Sequence, residues 1–133
     1  MDVPFTPTNQ HEIPAAPGAY ALLLHLAKPV RLDLKSVPVR SLPGGWHIYL
    51  GSARGPGGLR SRIGRHFRRT KKSHWHIDRL TAKADTLSAL AVEGGSECDL
   101  VRRLLAEDQI RCEAPGFGSS DCTTCPGHLL TIT

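Results

Sequence analysis

The sequence predicts an α+β fold in which helices flank a small antiparallel β-sheet. Apolar and alternating runs succeed one another through residues 19–50 with short connections, which favours antiparallel strands. Amphipathic helical patterns occupy residues 59–69 and 96–105. A length of 133 residues suits one domain with its own hydrophobic core, so we expect a single folded unit.

Three strands are predicted in the first half of the chain. Residues 19–26 (AYALLLHL) are an apolar run of the length and composition of a buried strand. Residues 30–35 (VRLDLK) alternate between apolar and charged side chains and fit a half-exposed strand. After a Pro-Gly-Gly turn, residues 46–50 (WHIYL) are rich in β-forming side chains, so they form the third strand of an antiparallel meander.

The second half is predicted to be mainly helical. Residues 51–58 form a glycine-rich loop, and a helix follows at residues 59–69. Another helix is expected at residues 96–105, with Ser96 as its N-cap and Asp99 in the reciprocal capping position. The other predicted elements are a short helix at residues 73–82 and strands at residues 86–92 and 128–132.

The two ends of the chain carry distinct patterns. The proline-rich residues 1–16 are predicted to be an extended arm, and residues 17–133 to be the domain, with a cysteine-containing tail. No run of 18 apolar residues is present, so no membrane partner is expected. The N-terminus lacks the basic start and apolar run of a secretory signal, and a cytoplasmic location is therefore predicted.

Positive charge is concentrated in one segment. Eight of the 17 Lys and Arg residues fall between Arg54 and Lys72, and no Asp or Glu occurs from Lys35 to Ile77. The chain has a net charge of +5. A basic block without opposing acids is typical of a surface that contacts phosphates, so nucleic acid is the predicted partner.

Helical spacing divides the charges of this segment. Arg62, His66 and Arg69 stand at i, i+4 and i+7, beside the apolar stripe, where they face a cleft between helix and sheet. Arg65 and Arg68 are predicted to point to solvent. A guanidinium can clamp a phosphate through two hydrogen bonds, and an imidazole can move a proton near neutral pH. The alternative is a solvated basic face with one packed histidine.

These residues carry a resemblance to a known family. The tripeptides at residues 18–20 (GAY) and 49–51 (YLG), followed by Arg62 with His66 and later by Glu97, resemble the GIY-YIG nuclease superfamily. The longer segments YLGSA, GLRSRIGRH, HWHID, EC and FGSSDC resemble a compact, little-characterised branch of it. Members of that branch stand alone or are attached to base-excision-type glycosylases.

The resemblance implies a metal-dependent nuclease that hydrolyses phosphodiester bonds, of DNA rather than RNA, with a role in DNA repair. It implies that Glu97 holds Mg²⁺ or Mn²⁺, and that Tyr20 or Tyr49 activates or orients the attacking water. Arg62 would neutralise charge on the phosphoryl oxygens, with His66 assisting as base or phosphate donor. In this chain 28 residues separate Tyr20 from Tyr49, more than the usual hairpin, which leaves room for an inserted strand.

Further candidates surround this set. Some family members place another histidine after the helix, a place that His74 or His76 fills here; His76 is favoured because it lies two residues before Asp78. Contacts to the nucleic acid are assigned to Ser52, Arg54, Arg65, Arg68, Arg69, Lys71 and Lys72.

Simpler interpretations of these residues stay open. A tyrosine in a strand is more often part of the core than a catalyst, and an acid in the first turn of a helix is favoured by the helix dipole. The alternative function is a non-catalytic nucleic-acid-binding module that retains the fold.

The cysteines define a second motif. Cys122, Cys125 and His128 have the spacing C-x2-C-x2-H, and Cys98 or Cys112 could supply the fourth ligand of a tetrahedral zinc site. The alternative is that the thiols pack the tail over the helix that carries Cys98. The zinc content of protein purified without chelator distinguishes the two interpretations. A metal analysis that finds no near-stoichiometric zinc would end this hypothesis.

Overall fold

The computed structural model describes residues 4–33, 37, 39–68, 76–117 and 126–132. Its helices are a 3-10 helix (Gln10–Glu12), α1 (Gly58–Phe67), α2 (Asp78–Thr81) and α3 (Glu97–Leu105). Its strands are β1 (Gly18–Leu26), β2 (Val30–Arg31), β3 (Ser41–Leu42), β4 (Gly45–Ala53), β5 (Thr86–Glu93), β6 (Ile110–Arg111) and β7 (Leu129–Ile132). The predicted α+β fold is confirmed.

The main sheet has five antiparallel strands in the order β5-β1-β4-β7-β6. β1 lies inside it and pairs with β4 on one side and β5 on the other, which explains its nearly continuous apolar sequence. The register places Tyr20 opposite Gly51 and Leu22 opposite Tyr49. The two tripeptides of the sequence therefore lie side by side on neighbouring strands.

Helices cover both faces of this sheet. On one face, α1 buries Leu59, Ile63, His66 and Phe67, as its helical spacing predicts. The three apolar side chains join the main core with alternate residues of β1, beginning at Tyr20. α1 thus lies directly over the strand that carries the first tripeptide.

On the other face, α3 packs over β4 and β7. Its Val101 forms a second, smaller core with Leu50 and Leu130. The predicted N-cap is confirmed, because the Ser96 hydroxyl accepts a hydrogen bond from the backbone N–H of Asp99. None of the helices in the described parts of the chain is long and apolar enough to cross a membrane.

The segment between β1 and β4 differs from the prediction. The strand expected at residues 30–35 does not join a meander; β2 pairs with β3 in a separate two-stranded sheet. The physical reason is that β1 already has a partner along both edges, so no further strand can be added there. The alternating pattern instead buries Val30, Leu32 and Leu42 against the main core.

The N-terminal arm is also more ordered than an extended segment. It contains the 3-10 helix, and Phe5 forms a β-bridge with Ala89 of β5. Ile13 is completely buried in the main core. Burial of these apolar side chains explains why the described part of the arm packs on the domain.

Two other elements were wrongly bounded or missed. The helix expected at residues 73–82 is the single turn α2, with residues 73–75 outside the described ranges. The two-residue strand β6 was not predicted. It pairs with β7 through Ile110 and Ile132, a contact between distant segments that no local pattern reveals.

Candidate active site

Three aromatic side chains from three elements meet beneath α1. The Tyr20 hydroxyl of β1 and His66 Nε2 of α1 are hydrogen-bonded at 2.6 Å. The ring of Tyr49, from β4, lies with its centroid 5.9 Å from that of His66 and 6.4 Å from that of Tyr20. We call Tyr20, Tyr49 and His66 the tyrosine–histidine cluster. The structure therefore brings together both tyrosines and the histidine of the resemblance.

Gly51 makes this arrangement sterically feasible. It lies opposite Tyr20 in the β1–β4 ladder, and the Tyr20 ring extends across it. A Cβ atom at position 51 would lie 2.5 Å from Cζ of the Tyr20 ring and still closer to its hydroxyl oxygen. Both distances are steric clashes, so a side chain at position 51 would displace the Tyr20 ring. The last residue of the second tripeptide is thus a glycine because the first tripeptide's tyrosine occupies the space of a side chain.

Burial controls the charge state of the two phenols. Burial raises the pKa of Tyr20 well above its usual value, since the side chain is only 1% exposed. Burial likewise raises the pKa of Tyr49 to about 12. Both phenols therefore keep their protons at neutral pH, and in this state they can donate hydrogen bonds but cannot act as bases.

Arg62 and Glu97 shift the pKa of both tyrosines in opposite directions. The guanidinium of Arg62 lowers the pKa of each phenol, and the carboxylate of Glu97 raises it. Arg62 comes from α1 and Glu97 from the first residue of α3, and both side chains are half-buried. A cation and an anion from separate helices are thus placed close enough to the cluster to influence it.

Arg65 does not point to solvent, so that prediction is wrong. Its guanidinium donates two hydrogen bonds to the Asp78 carboxylate, at 2.7 and 2.8 Å. The side chain of Asp78 is 1% exposed and that of Arg65 is 19% exposed. The hydrogen bonds to Asp78 raise the pKa of Arg65, which stays charged. This ion pair fastens α2 to α1.

His76 is separated from the tyrosine–histidine cluster by the ring of Phe117. Its imidazole packs edge to face on Phe117 at a centroid distance of 5.4 Å, and Phe117 packs on Tyr49 at 6.4 Å. Burial, helped by the nearby charge of Arg79, lowers the pKa of His76. The histidine is therefore neutral at pH 7. The other candidate, His74, lies outside the described residues.

The proposed nucleic-acid contacts are distributed unevenly. Arg54, in the loop after β4, and Arg68, at the end of α1, are exposed. Strand alternation places Ser52 on the sheet face opposite to Tyr49, and thus away from Arg62. Three further candidates, Arg69, Lys71 and Lys72, lie outside the described residues.

The predicted zinc ligands are described only in part. Cys98 Sγ and His128 Nε2 are 3.9 Å apart, whereas two ligands of one tetrahedral zinc ion are separated by roughly 3.6 Å. Cys122 and Cys125 lie outside the described residues. Within the described ranges, no group of three or more His, Cys, Asp or Glu side chains could hold a metal ion. The zinc site stays a prediction.

Two residues of this region were missed as functional candidates. Asp78 has a signal in the sequence, because it is the first acid after the acid-free segment and is available to a basic helix. Phe117, which is fully buried between Tyr49 and His76, begins the segment FGSSDC of the resemblance, but no local pattern assigns it these contacts. Its neighbours come from β4 and from the segment before α2, so only the tertiary structure reveals the contact.

Comparison with known proteins assigns the chain to a protein family. The family model described as domain of unknown function DUF123 matches residues 19–133. That match includes both tyrosines, α1, α3 and the cysteine-containing tail. No curated protein and no solved structure matches the chain significantly.

Proposed function

We propose, from the premise that the chain belongs to the DUF123 family and from the geometry of its site, that the protein is a nuclease. It hydrolyses phosphodiester bonds of DNA with a divalent metal, in an active site of the GIY-YIG type. A cytoplasmic setting and a role in DNA repair belong to the same proposal, on the strength of the sequence pattern.

One observation carries the proposal. The Tyr20 hydroxyl and His66 Nε2 are joined at 2.6 Å beside the Tyr49 ring, with Arg62 and Glu97 both acting on the two phenols. A purely structural core would be expected to keep a guanidinium and a carboxylate away from buried phenols. Hydrogen-bond donors, a proton-carrying imidazole and a phosphate clamp are the groups that phosphodiester hydrolysis uses.

The two tyrosines have different tasks in this proposal. Tyr20 is almost inaccessible and hydrogen-bonded to His66, so it positions the imidazole and sets its tautomer. Tyr49 is half-buried, and its neutral hydroxyl can orient the attacking water or a phosphate oxygen. Arg62 neutralises the charge that builds on the phosphoryl oxygens.

Glu97 is the residue that would hold the metal ion. Asp78, the other nearby carboxylate, is engaged by Arg65 and is not a second ligand. A single carboxylate suits Mg²⁺ or Mn²⁺, since Mg²⁺ keeps several of its waters and also binds substrate phosphate. Such an ion, when bound, would supply Lewis-acid chemistry for phosphodiester hydrolysis.

A second candidate function is supported by the burial of the phenols. Tyr20 is out of reach of any substrate, and neither tyrosine is a base at neutral pH. A domain that uses the basic segment only to bind nucleic acid would retain the same packing. The two functions differ in whether phosphodiester bonds are cut.

Replacement of Glu97 by glutamine tests the nuclease. We expect wild-type protein with Mg²⁺ or Mn²⁺ to cut DNA, and Glu97→Gln to cut at least about 10²-fold more slowly, because the metal loses its protein ligand. Initial rates on single- and double-stranded DNA and on RNA measure this. Glu107→Gln, an exposed change just after α3, is the matched control and should cut normally. Wild-type protein that cuts none of these substrates would refute the nuclease.

A further inference from the structure

A cavity beside α1 shares Arg62 with the candidate active site. It has a volume of about 230 Å³ and lies between the loop after β4 and the outer side of α1. Gly58, Ser61, Arg62, Arg65 and Arg68 contribute to its lining, and we call it the arginine pocket. Nothing in the proposed mechanism uses Ser61 or Arg68.

Three arginines line the arginine pocket. Arg62, Arg65 and Arg68 follow one another at intervals of three residues and all line it. Arg65 is held in the lining by its ion pair with Asp78. No Asp or Glu occurs among the described residues that line the pocket. The chemistry of the pocket is therefore that of an anion site.

The mode of recognition follows from the start of α1. The first amides of a helix usually provide an anion site, but here they already donate to backbone carbonyls at 2.9–3.3 Å. These bonds run from Gly58 to Gly55, Leu59 to Ala16, Arg60 to Pro14 and Ser61 to Gly57. An anion in the pocket is thus recognised by guanidinium groups and the Ser61 hydroxyl rather than by the helix end.

Gly58 allows the N-terminal arm to lie close enough to α1 for these hydrogen bonds to form. Its φ of +55° lies in the left-handed region, and a Cβ atom there would collide with the carbonyl oxygen of Ala16. Because the arm closes over the first turn of α1, the side chains of the turn, not its backbone, are what the pocket presents. Ser61 is exposed and lies at this opening.

Arg62 belongs both to this pocket and to the candidate active site. It lines the cavity and also lowers the pKa of both tyrosines of the cluster. An anion in the pocket and a phosphate held at the cluster would therefore share Arg62. In a nucleic acid strand, the neighbour of one phosphate is the next phosphate of the same strand.

We propose that the arginine pocket binds the phosphate adjacent to the scissile one on the cleaved strand, an inference that rests on the proposed function. Arg68 and Ser61 are the residues specific to this second phosphate, and Arg65 is held in place for it by Asp78. The consequence is a preference for a phosphodiester bond inside a strand. A substrate with a single phosphodiester leaves the pocket unused.

A comparison of two substrates tests the pocket. Arg68→Ala is expected to lower kcat/KM on a thymidine tetranucleotide about 10-fold, because one charge-assisted contact is lost. The same variant should leave kcat/KM on the dinucleotide TpT, which has one phosphodiester, unchanged. Arg103→Ala, an exposed change on α3, is the control and should affect neither substrate. An equal effect of Arg68→Ala on both substrates, or none on either, overturns the proposal.

A binding measurement separates this proposal from the nuclease itself. Inorganic phosphate, added without metal, is expected to shift the backbone amide resonances of Ser61 and Arg68 saturably, and several-fold more phosphate should be needed in Arg68→Ala. Absence of a saturable shift in the wild-type protein overturns the pocket. A protein that binds phosphate there but cuts no nucleic acid contradicts only the proposed function.

Discussion

Arg62→Ala is expected to slow phosphodiester cleavage by about 10²–10³-fold while changing the affinity for DNA only a few-fold. Arg62 is half-buried and lies beside both phenols of the cluster, so its charge is fixed where negative charge develops in the transition state. Interactions of this kind raise kcat more than they tighten binding of the substrate. Single-turnover rates and equilibrium binding with Ca²⁺ in place of Mg²⁺ measure the two effects separately.

The control for Arg62 is Arg54, which is exposed in the loop after β4. Arg54→Ala should weaken DNA binding modestly and reduce the salt dependence of affinity, with cleavage of bound DNA unchanged. Arg62→Lys keeps the positive charge but loses the planar fork, and it should recover only part of the rate. If Arg62→Ala and Arg54→Ala weaken binding equally and the wild type does not cut, the protein is a binding module.

The outcome for the fold shows what local patterns can reveal. β1, β4, α1 and α3 were predicted close to their observed positions because each has a local signal of its own: an apolar run in β1, β-forming side chains in β4 and helical spacing in α1 and α3. The failure at residues 30–35 concerned pairing rather than composition. Whether that strand can join the sheet depends on whether β1 has a free edge, and the answer lies in β5, which follows some fifty residues later.

For the candidate site, too, some residues could be placed from the sequence and others could not. The resemblance carried by the two tripeptides, Arg62 and His66 implied a shared site, and the structure brings Tyr20, Tyr49 and His66 together. Helical spacing alone gave the wrong prediction for Arg65. It indicates the direction of a side chain from the helix axis but does not reveal which residue of another element lies in that direction. Asp78 turns an arginine that spacing assigns to solvent into half of a buried ion pair.

The ion pair between Arg65 and Asp78 is expected to dominate the stability of the region around the candidate active site. Asp78→Ala should lower the free energy of unfolding by about 3 kcal/mol, because it leaves the guanidinium of Arg65 largely desolvated without its partner. The estimate is at the low end of the usual range, since Arg65 keeps 19% exposure and can regain some hydration. Urea denaturation followed by circular dichroism measures the change.

The double variant Arg65→Met/Asp78→Leu separates the loss of the ion pair from the cost of leaving one charge buried without its partner. Removing both charges avoids an unpaired buried ion, so the double variant should be clearly more stable than Asp78→Ala. Asp33→Ala is the control, because its pair with Arg31 is exposed on both sides and its loss should cost less than about 0.5 kcal/mol. If Asp78→Ala costs no more than Asp33→Ala, the pair does not hold α2 to α1. If instead the double variant retains stability but loses the tetranucleotide preference, the Arg65 guanidinium serves mainly the arginine pocket rather than stability.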